Sequence, residues 1–187
     1  MDKHRLINNL YNEYKKIYEK QQVVLGDGDL NCPLMMVGEA PGKDEVLQQR
    51  PFVGLAGGKL KVFIEYINKT RNDFYVTNAI KYRLYKVNER TKRLSNRPAK
   101  VNEINENRPY LLGEIDIIKP KVIITLGNVP LKSILGKNTI SIGQYHGQAI
   151  KRNGYILFPL YHPASLIYNQ SLEEVYYKDL DELKKII

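Results

Sequence analysis

Cysteine is almost absent from this chain, and no long apolar run occurs in it. Of the 187 residues only Cys32 is a cysteine, which excludes an intrachain disulfide and any metal site built from cysteines alone. No apolar stretch approaches the roughly 20 residues of a membrane span. The first residues are charged where a signal peptide would be apolar. We therefore expect a cytoplasmic protein without contact with a membrane.

Acidic residues are the minority among the charged side chains. The chain has 20 Asp and Glu against 29 Lys and Arg, a formal net charge of +9. This excess favours a polyanionic partner, although a basic surface that serves only solubility explains the charge equally well. The length fits one domain over residues 1–187 with a sizeable core, and we expect a monomer.

Short apolar runs that stop at glycine or proline alternate with helical patterns along the chain. The runs that predict buried strands cover residues 34–38, 74–80, 121–126 and 155–161. The helical patterns cover residues 1–20, 59–69, 99–118 and 171–187, with a short helix around residues 129–135. Connections of this length predict parallel, right-handed crossovers. The sequence therefore predicts a three-layer α/β/α fold with a four-stranded, mainly parallel sheet, and the Gly-punctuated stretch 140–150 predicts an irregular strand or hairpin.

Polar side chains stand at the carboxyl ends of three predicted strands. Glu39 follows the first strand, Asn78 lies near the end of the second, and His162 follows the fourth. In open α/β sheets ligands bind at this edge. We therefore expect these three side chains to lie close together.

Residues 38–58 carry two Gly-rich turns with an aromatic residue between them. Gly42 would let main-chain N–H groups approach a ligand, and Phe52 is suited either to a core or to stacking on a base. Glu39 and Glu45 could form a metal site, provide a general base, or lie on a charged loop. A metal site is the weakest of these alternatives, because no histidine is near in the sequence.

Residues 81–100 hold eight basic residues against one acidic residue and show no apolar periodicity. Such a run predicts either a solvated loop or an arm that contacts phosphates, and the interleaved Tyr82 and Tyr85 favour the arm. The candidate phosphate contacts are Arg83, Lys86, Arg90, Lys92 and Arg93.

Five blocks of sequence, in this order, resemble family 4 of the uracil-DNA glycosylase superfamily. They are Gly-Glu-Ala-Pro-Gly-x-x-Glu (38–45), Pro-Phe-Val-Gly-x-Ala-Gly (51–57), Thr-Asn-Ala-Ile-Lys (77–81), Pro-Lys-Val-Ile-Ile-Thr-Leu-Gly (120–127) and His-Pro-Ala-Ser-Leu (162–166). The similarity extends from about Val23 to the end of the chain. It implies a monofunctional DNA glycosylase that hydrolyses the N-glycosidic bond of uracil in single- or double-stranded DNA, for base excision repair.

The resemblance also implies a role for each candidate residue that contacts the base. Phe52 stacks on the flipped uracil, and the backbone around Ala40 and Gly42 touches base and sugar. The amide of Asn78 complements O4 and N3–H of uracil and mismatches cytosine.

The same resemblance implies which other residues stabilise the charges of the reaction and which distort the DNA. His162 supports the negative charge that builds on uracil O2, and Glu39 and Glu45 are the candidates to position or activate water. The loop 165–170, which begins at Ser165, would supply a wedge into the DNA.

Relatives in this family hold an iron–sulfur cluster with four cysteines, and none of the four is present here. Tyr82 stands at the position of the third, and residues 107–108 at that of the fourth. We expect no metal and no iron–sulfur cofactor. The loops that the cluster joins in relatives should be held by packed tyrosines, namely Tyr82, Tyr85 and Tyr110.

Two other functions remain compatible with the sequence. One is a nucleic-acid-binding homologue that retains the base pocket with little turnover. The other is a glycosylase for another deaminated base. Some relatives with another specificity trap the base covalently, with a histidine in an inserted basic loop. Residues 81–100 contain no histidine, which argues against covalent trapping here.

Overall fold

A five-stranded mixed sheet is the centre of the computed structural model, which describes residues 2–187. The strands of the chain are β1 (Leu34–Gly38), β2 (Tyr75–Asn78), β3 (Tyr85–Val87), β4 (Leu94–Asn96), β5 (Val122–Leu126), β6 (Ile150–Arg152) and β7 (Tyr155–Leu160). Their order in the sheet is β2-β1-β5-β7-β6, and β3 pairs with β4 in a separate hairpin.

The pairing confirms the predicted mainly parallel sheet. β1 lies parallel to β2 and β5, and β5 lies parallel to β7. The predicted number of four strands is wrong, because β6 adds an antiparallel edge to β7. β6 has only three residues, which are half-buried or exposed, so it carries no apolar pattern that a sequence-based prediction could detect.

Helices cover the sheet: the five predicted ones are present, and two short helices, at residues 43–48 and 165–168, were not predicted. The helices are α1 (Lys3–Ile17), α2 (Lys43–Gln48), α3 (Leu55–Tyr66), α4 (Val101–Ile118), α5 (Asn128–Leu135), α6 (Ser165–Tyr168) and α7 (Leu172–Lys184). The start of α3 differs from the prediction, since the helix already includes Gly57 and Gly58. Glycine disfavours helix, so the sequence indicates a turn where the chain has begun a helix.

The helices form one layer on each face of the sheet. On one face α4 packs between α1 and α5. On the other face the ring of Phe63 in α3 stacks on Tyr176 in α7, with 4.1 Å between the ring centroids. All five residues of β1 are buried, as expected for a parallel sheet covered on both sides. Within residues 2–187 no helix is long and apolar enough to cross a membrane.

Four tyrosine rings join α1, α4 and the segment after β2. Tyr14 lies 4.5 Å from Tyr18 and 5.0 Å from Tyr110, and Tyr18 lies 4.9 Å from Tyr82, as distances between ring centroids. The predicted packing of Tyr82 and Tyr110 is confirmed. The prediction is wrong for Tyr85, which is exposed on β3. The helical spacing of Tyr14 in α1 and Tyr18 at its C-terminal cap indicates a core face but does not indicate its partners.

The basic segment 81–100 forms an ordered hairpin. β3 and β4 pair antiparallel, and every residue from 85 to 96 is exposed. Asn88 closes the connecting loop, because its Oδ1 accepts hydrogen bonds from the backbone N–H groups of Arg90 and Thr91 at 3.1 and 2.9 Å. A hairpin without a buried face has no alternating apolar pattern, so the sequence indicates only a solvated segment.

Candidate active site

The carboxyl ends of the parallel strands meet around a cavity of about 360 Å³. Gly38 pairs with Asn78 and Leu126 pairs with Leu160, so these strand ends are level. The predicted site residues that line the cavity are Ala40, Gly42, Glu45, Phe52, Asn78 and His162. The predicted convergence of strand-end side chains in one cavity is confirmed for Asn78 and His162.

A second cavity of about 310 Å³ adjoins the first and contains Glu39. The two cavities share Ala40, Asn96 and His162 in their walls. The carboxylate predicted after β1 therefore lies in an adjoining cavity that His162 also lines. Asn96 was not predicted as a site residue, because nothing in the local sequence distinguishes it from the other polar residues of the hairpin.

Two glycines give Phe52 its position in the first cavity. Phe52 has a backbone φ of 58°, which is uncommon for an aromatic residue. A Cβ on Gly57 would overlap the Phe52 carbonyl, and a Cβ on Gly38 would overlap both the Phe52 ring and Asn78 Oδ1. The ring faces that of His162 with 6.3 Å between the centroids and 27° between the planes. Only glycine at these two positions leaves room for this arrangement.

A buried ion pair holds the backbone at Asn78. Lys81 Nζ lies 2.8 Å from Glu114 Oε2, both side chains are fully buried, and the same Nζ donates to the Asn78 carbonyl at 3.0 Å. Thr77 Oγ1 donates to Glu114 Oε1 at 3.1 Å, and Tyr11 also donates to this carboxylate. Lys81 is therefore not part of an exposed basic arm, contrary to the prediction.

Glu114 is a site-supporting residue that the sequence could have revealed. It falls between Leu111 and Ile118 on the inward face of α4, at a spacing where a carboxylate needs a buried partner. Lys81 is a natural partner, because it follows directly on an apolar strand. The sequence alone does not distinguish Lys81 from the other basic residues of 81–100.

His162 is held as a neutral hydrogen-bond donor. The backbone N–H of Ala164 donates to His162 Nδ1 at 3.2 Å, and burial lowers the pKa of the imidazole below its ordinary value. A neutral ring whose Nδ1 accepts must carry its proton on Nε2. Gly127, at φ 92°, lies against the histidine, since a Cβ there would be 3.3 Å from His162 Cβ.

The two predicted carboxylates have different environments. Glu39 Oε1 accepts one hydrogen bond, from the backbone N–H of Ala99 at 2.9 Å, and burial raises the pKa of its carboxyl group. Glu45 accepts three backbone N–H groups, those of Gly42, Val53 and Gly54 at 3.0, 3.1 and 2.8 Å. The Glu45 carboxylate therefore joins the start of α2 to the turn that carries Phe52.

The predicted phosphate contacts fall into two groups. Four side chains are exposed on the hairpin, namely those of Lys86, Arg90, Lys92 and Arg93. Arg83 is only 8% exposed, and its Nε donates to Asn96 Oδ1 at 3.1 Å. Ser165 is partly buried at the start of α6, where its N–H donates to the His162 carbonyl at 2.8 Å, and it lines neither cavity.

The residues at the positions of the relatives' iron–sulfur ligands do not fit such a cluster. The packed tyrosine rings occupy the junction of α1, α4 and the segment after β2, and the single cysteine, Cys32, donates to the Asp73 carbonyl at 2.6 Å. Among residues 2–187 no group of three or more His, Cys, Asp or Glu side chains could hold a metal ion. No thiolate is available at the tyrosine cluster to bind iron.

Comparison with known proteins agrees with this geometry. Type-4 uracil-DNA glycosylases of Sulfurisphaera tokodaii and Saccharolobus solfataricus are 35% and 33% identical to the chain; the matches cover 89% and 90% of the chain and 76% and 77% of the relatives. The Thermotoga maritima type-4 uracil-DNA glycosylase is 32% identical over 90% of the chain and 84% of its own length. The family model of the Uracil DNA glycosylase superfamily matches residues 25–186. By fold, site and sequence the chain therefore belongs to the uracil-DNA glycosylase superfamily.

Proposed function

We propose that the protein is a uracil-DNA glycosylase that removes uracil from DNA as the first step of base excision repair. One observation carries the proposal: the Asn78 amide, the Phe52 ring and a neutral His162 face one cavity of about 360 Å³. Stacking, edge recognition and a donor to the leaving group are three of the requirements for releasing a flipped uracil. The type-4 relatives support the same activity.

The reaction is hydrolysis of the bond between uracil N1 and deoxyribose C1′. As this bond breaks, its electron pair passes to the uracil ring and C1′ gains oxocarbenium character. A water molecule adds to C1′ and releases one proton, and the uracil anion takes up a proton. The products are free uracil and an abasic site. His162 Nε2–H donates to the developing charge on O2, an interaction that strengthens toward the transition state.

Glu39 is the carboxylate that we assign to the cation side of the reaction. It makes one hydrogen bond to protein and lines the cavity next to the base site, which leaves oxygen lone pairs for a water molecule. We assign Glu45 to positioning of the loops, because its oxygens already accept three backbone N–H groups.

Glu39 must be ionised to orient water. Because burial raises the pKa of Glu39, activity should decline on acidification at a higher pH than it would with an ordinary glutamate.

A direct assay tests the proposed activity. The purified protein should convert a uracil-containing oligonucleotide, single- or double-stranded, into an alkali-labile abasic product, and the matched cytosine oligonucleotide should remain intact. Binding of both without cleavage of either would favour a nucleic-acid-binding homologue. Cleavage of an oligonucleotide with a deaminated purine, and not of the uracil substrate, would favour the other glycosylase specificity.

We propose that the four exposed cations of the hairpin contact DNA phosphates. Replacing Arg90 and Arg93 by Ala should weaken binding of uracil and normal sequences alike, and should flatten the salt dependence by roughly 0.9 for each phosphate interaction removed on duplex DNA. Fluorescence anisotropy over a salt series measures this slope. Lys121→Ala with Arg152→Ala is the matched control, because both residues are exposed near the amino ends of strands β5 and β7. A slope that falls equally in both double variants would show only a loss of net charge.

The proposed enzyme works without an iron–sulfur cluster. We expect a colourless protein without stoichiometric iron, whose thermal unfolding is unchanged by a chelator, since one cysteine cannot replace four thiolate ligands. Visible absorbance and elemental analysis measure this. A broad band near 400 nm that disappears together with iron would contradict the expectation.

A further inference from the structure

Asn96 stands at the end of β4 where the two cavities meet. Its side chain lines the cavity that contains Asn78 and also the cavity that contains Glu39. Asn96 is exposed, so it lies at the mouth of the site and not at its floor. A nucleotide with its base against Asn78 and its C1′ near Glu39 has to pass its sugar and phosphates through this mouth.

Arg83 determines which way the Asn96 amide points. Arginine has only donors, and Arg83 Nε lies 3.1 Å from Asn96 Oδ1, so the amide oxygen must face the arginine. The Nδ2 group then faces the site, where it lies 3.3 Å from the position that a Cβ on Gly42 would take. Arg83 is itself buried at the base of the hairpin and packs over the Tyr85 ring at 5.8 Å. The amide is therefore presented in one orientation.

The cavity that Nδ2 faces is lined by one lysine, which can attract an anionic group. Lys43 lines the same cavity and is exposed. Two acids, Asp44 and Glu45, also line it. The Glu45 carboxylate is compensated by its three backbone N–H partners, whereas the exposed Asp44 offsets the charge of Lys43, so the donor on Asn96 carries the argument. An amide N–H donor at the mouth of a base pocket that a lysine also lines is a common way to hold a phosphate.

We infer that Asn96 is a substrate-binding residue that donates from Nδ2 to a phosphate adjoining the flipped nucleotide, and that Arg83 is its positioning residue. The inference rests on the proposed function, because it takes a flipped nucleotide in the site. It changes the predicted role of Arg83 from a phosphate contact to the support of one. It also assigns the hairpin a second role besides its positive charge, since β4 places a specific donor at the mouth of the cavity.

Binding to a duplex with one tetrahydrofuran abasic analogue tests the inference without turnover. Asn96→Ala should weaken binding about 10-fold or more, the loss typical of a hydrogen bond to a charged group. Asn96→Asp should weaken it further, because the carboxylate keeps the Arg83 interaction and repels the phosphate. A purely structural Asn96 would tolerate Asp, so full affinity in this variant overturns the inference. Asn153→Ala, in the exposed turn between β6 and β7, is the matched control.

A neutral phosphate analogue locates the interaction. One methylphosphonate is placed on the 5′ or the 3′ side of the analogue, and anisotropy is measured for the parent and for Asn96→Ala. At the phosphate that Asn96 binds, replacing the phosphate by methylphosphonate should lower the affinity of the parent. It should hardly lower the affinity of Asn96→Ala any further, since the same interaction cannot be removed twice. Additive losses at both positions would overturn the assignment to phosphate.

Arg83→Lys tests the positioning role. Lysine keeps the charge but lacks the guanidinium fork, so the variant should bind as weakly as Asn96→Ala, and adding Arg83→Lys to Asn96→Ala should change nothing more. If Arg83→Lys lowered the affinity equally in the parent and in Asn96→Ala, Arg83 would instead act on DNA directly. Arg152→Lys is the control, and circular dichroism confirms that each variant folds.

The outcomes separate this inference from the proposed function. A parent that prefers the abasic-analogue duplex but releases no uracil contradicts the proposed function while the Asn96 comparison still decides the inference. A parent that binds the analogue duplex no better than undamaged DNA overturns the inference, and it overturns the proposed function as well only if it also releases no uracil. Normal uracil release with unchanged binding by Asn96→Asp overturns the inference alone.

Discussion

His162→Ala should lower the single-turnover rate of uracil release by about 10²–10³-fold, or roughly 3–4 kcal/mol, the usual cost of losing one preorganised donor. The physical reason is the fixed tautomer: the Ala164 N–H holds Nδ1 as an acceptor, which leaves Nε2–H for the leaving group. Burial lowers the pKa of His162, so the ring is neutral at pH 7–8 and the parent rate should be flat over this range if no other group titrates.

The leaving group itself supplies a control for this assignment. With 5-fluorouracil, which carries negative charge more easily than uracil, the deficit of His162→Ala should shrink, because less stabilisation is needed. Added imidazole should restore part of the rate. His4→Ala, on the exposed surface of α1, should have the parent rate. A His162→Ala enzyme with the parent rate on uracil, or an equal deficit on both bases, would contradict a role at the leaving group.

Gly38→Ala should lower the rate by about 10²-fold or more without unfolding the protein, the cost expected for misplaced binding groups. A Cβ at the end of β1 would overlap the Phe52 ring and Asn78 Oδ1, so both groups to which we assign uracil binding would have to move. Gly58→Ala is the matched control, since a Cβ there meets no atom within 4 Å. The control should keep its activity and gain up to about 1 kcal/mol of stability in α3.

A double variant tests the steric cause. Phe52→Ala removes the ring that the new methyl group would meet, so Gly38→Ala should cost less in that background than in the parent. Single-turnover rates and thermal melts of the four proteins are the measurements. Equal costs in both backgrounds, or a Gly38→Ala variant within a few-fold of the parent, would contradict a role for Gly38 in seating Phe52.

The local sequence determined the parallel α/β fold and the edge at which the site lies. Each buried strand is a short apolar run that stops at glycine, proline or a polar residue, and the sequence alone places Glu39, Asn78 and His162 at strand ends. Parallel strands bring their carboxyl ends to one edge. The strand ends and helical patterns depend on nearest neighbours in sequence or on periodicity, which a chain displays without being folded. The packing of Tyr82 and Tyr110 was expected only from the resemblance to a family whose cluster cysteines are missing here.

Only the tertiary structure decided how residues of the same type differ in burial and in hydrogen-bond partners. Lys81 and Arg90 belong to one basic run, yet Lys81 is buried against Glu114, 33 positions along the chain, while Arg90 is exposed. Glu39 and Glu45 differ in the same way, because the turn after Phe52 folds back onto Glu45 only. Asn96 reaches the site because an exposed hairpin returns to it. Charge and residue type are local properties, whereas burial and hydrogen-bond partners depend on segments that meet only in the folded chain.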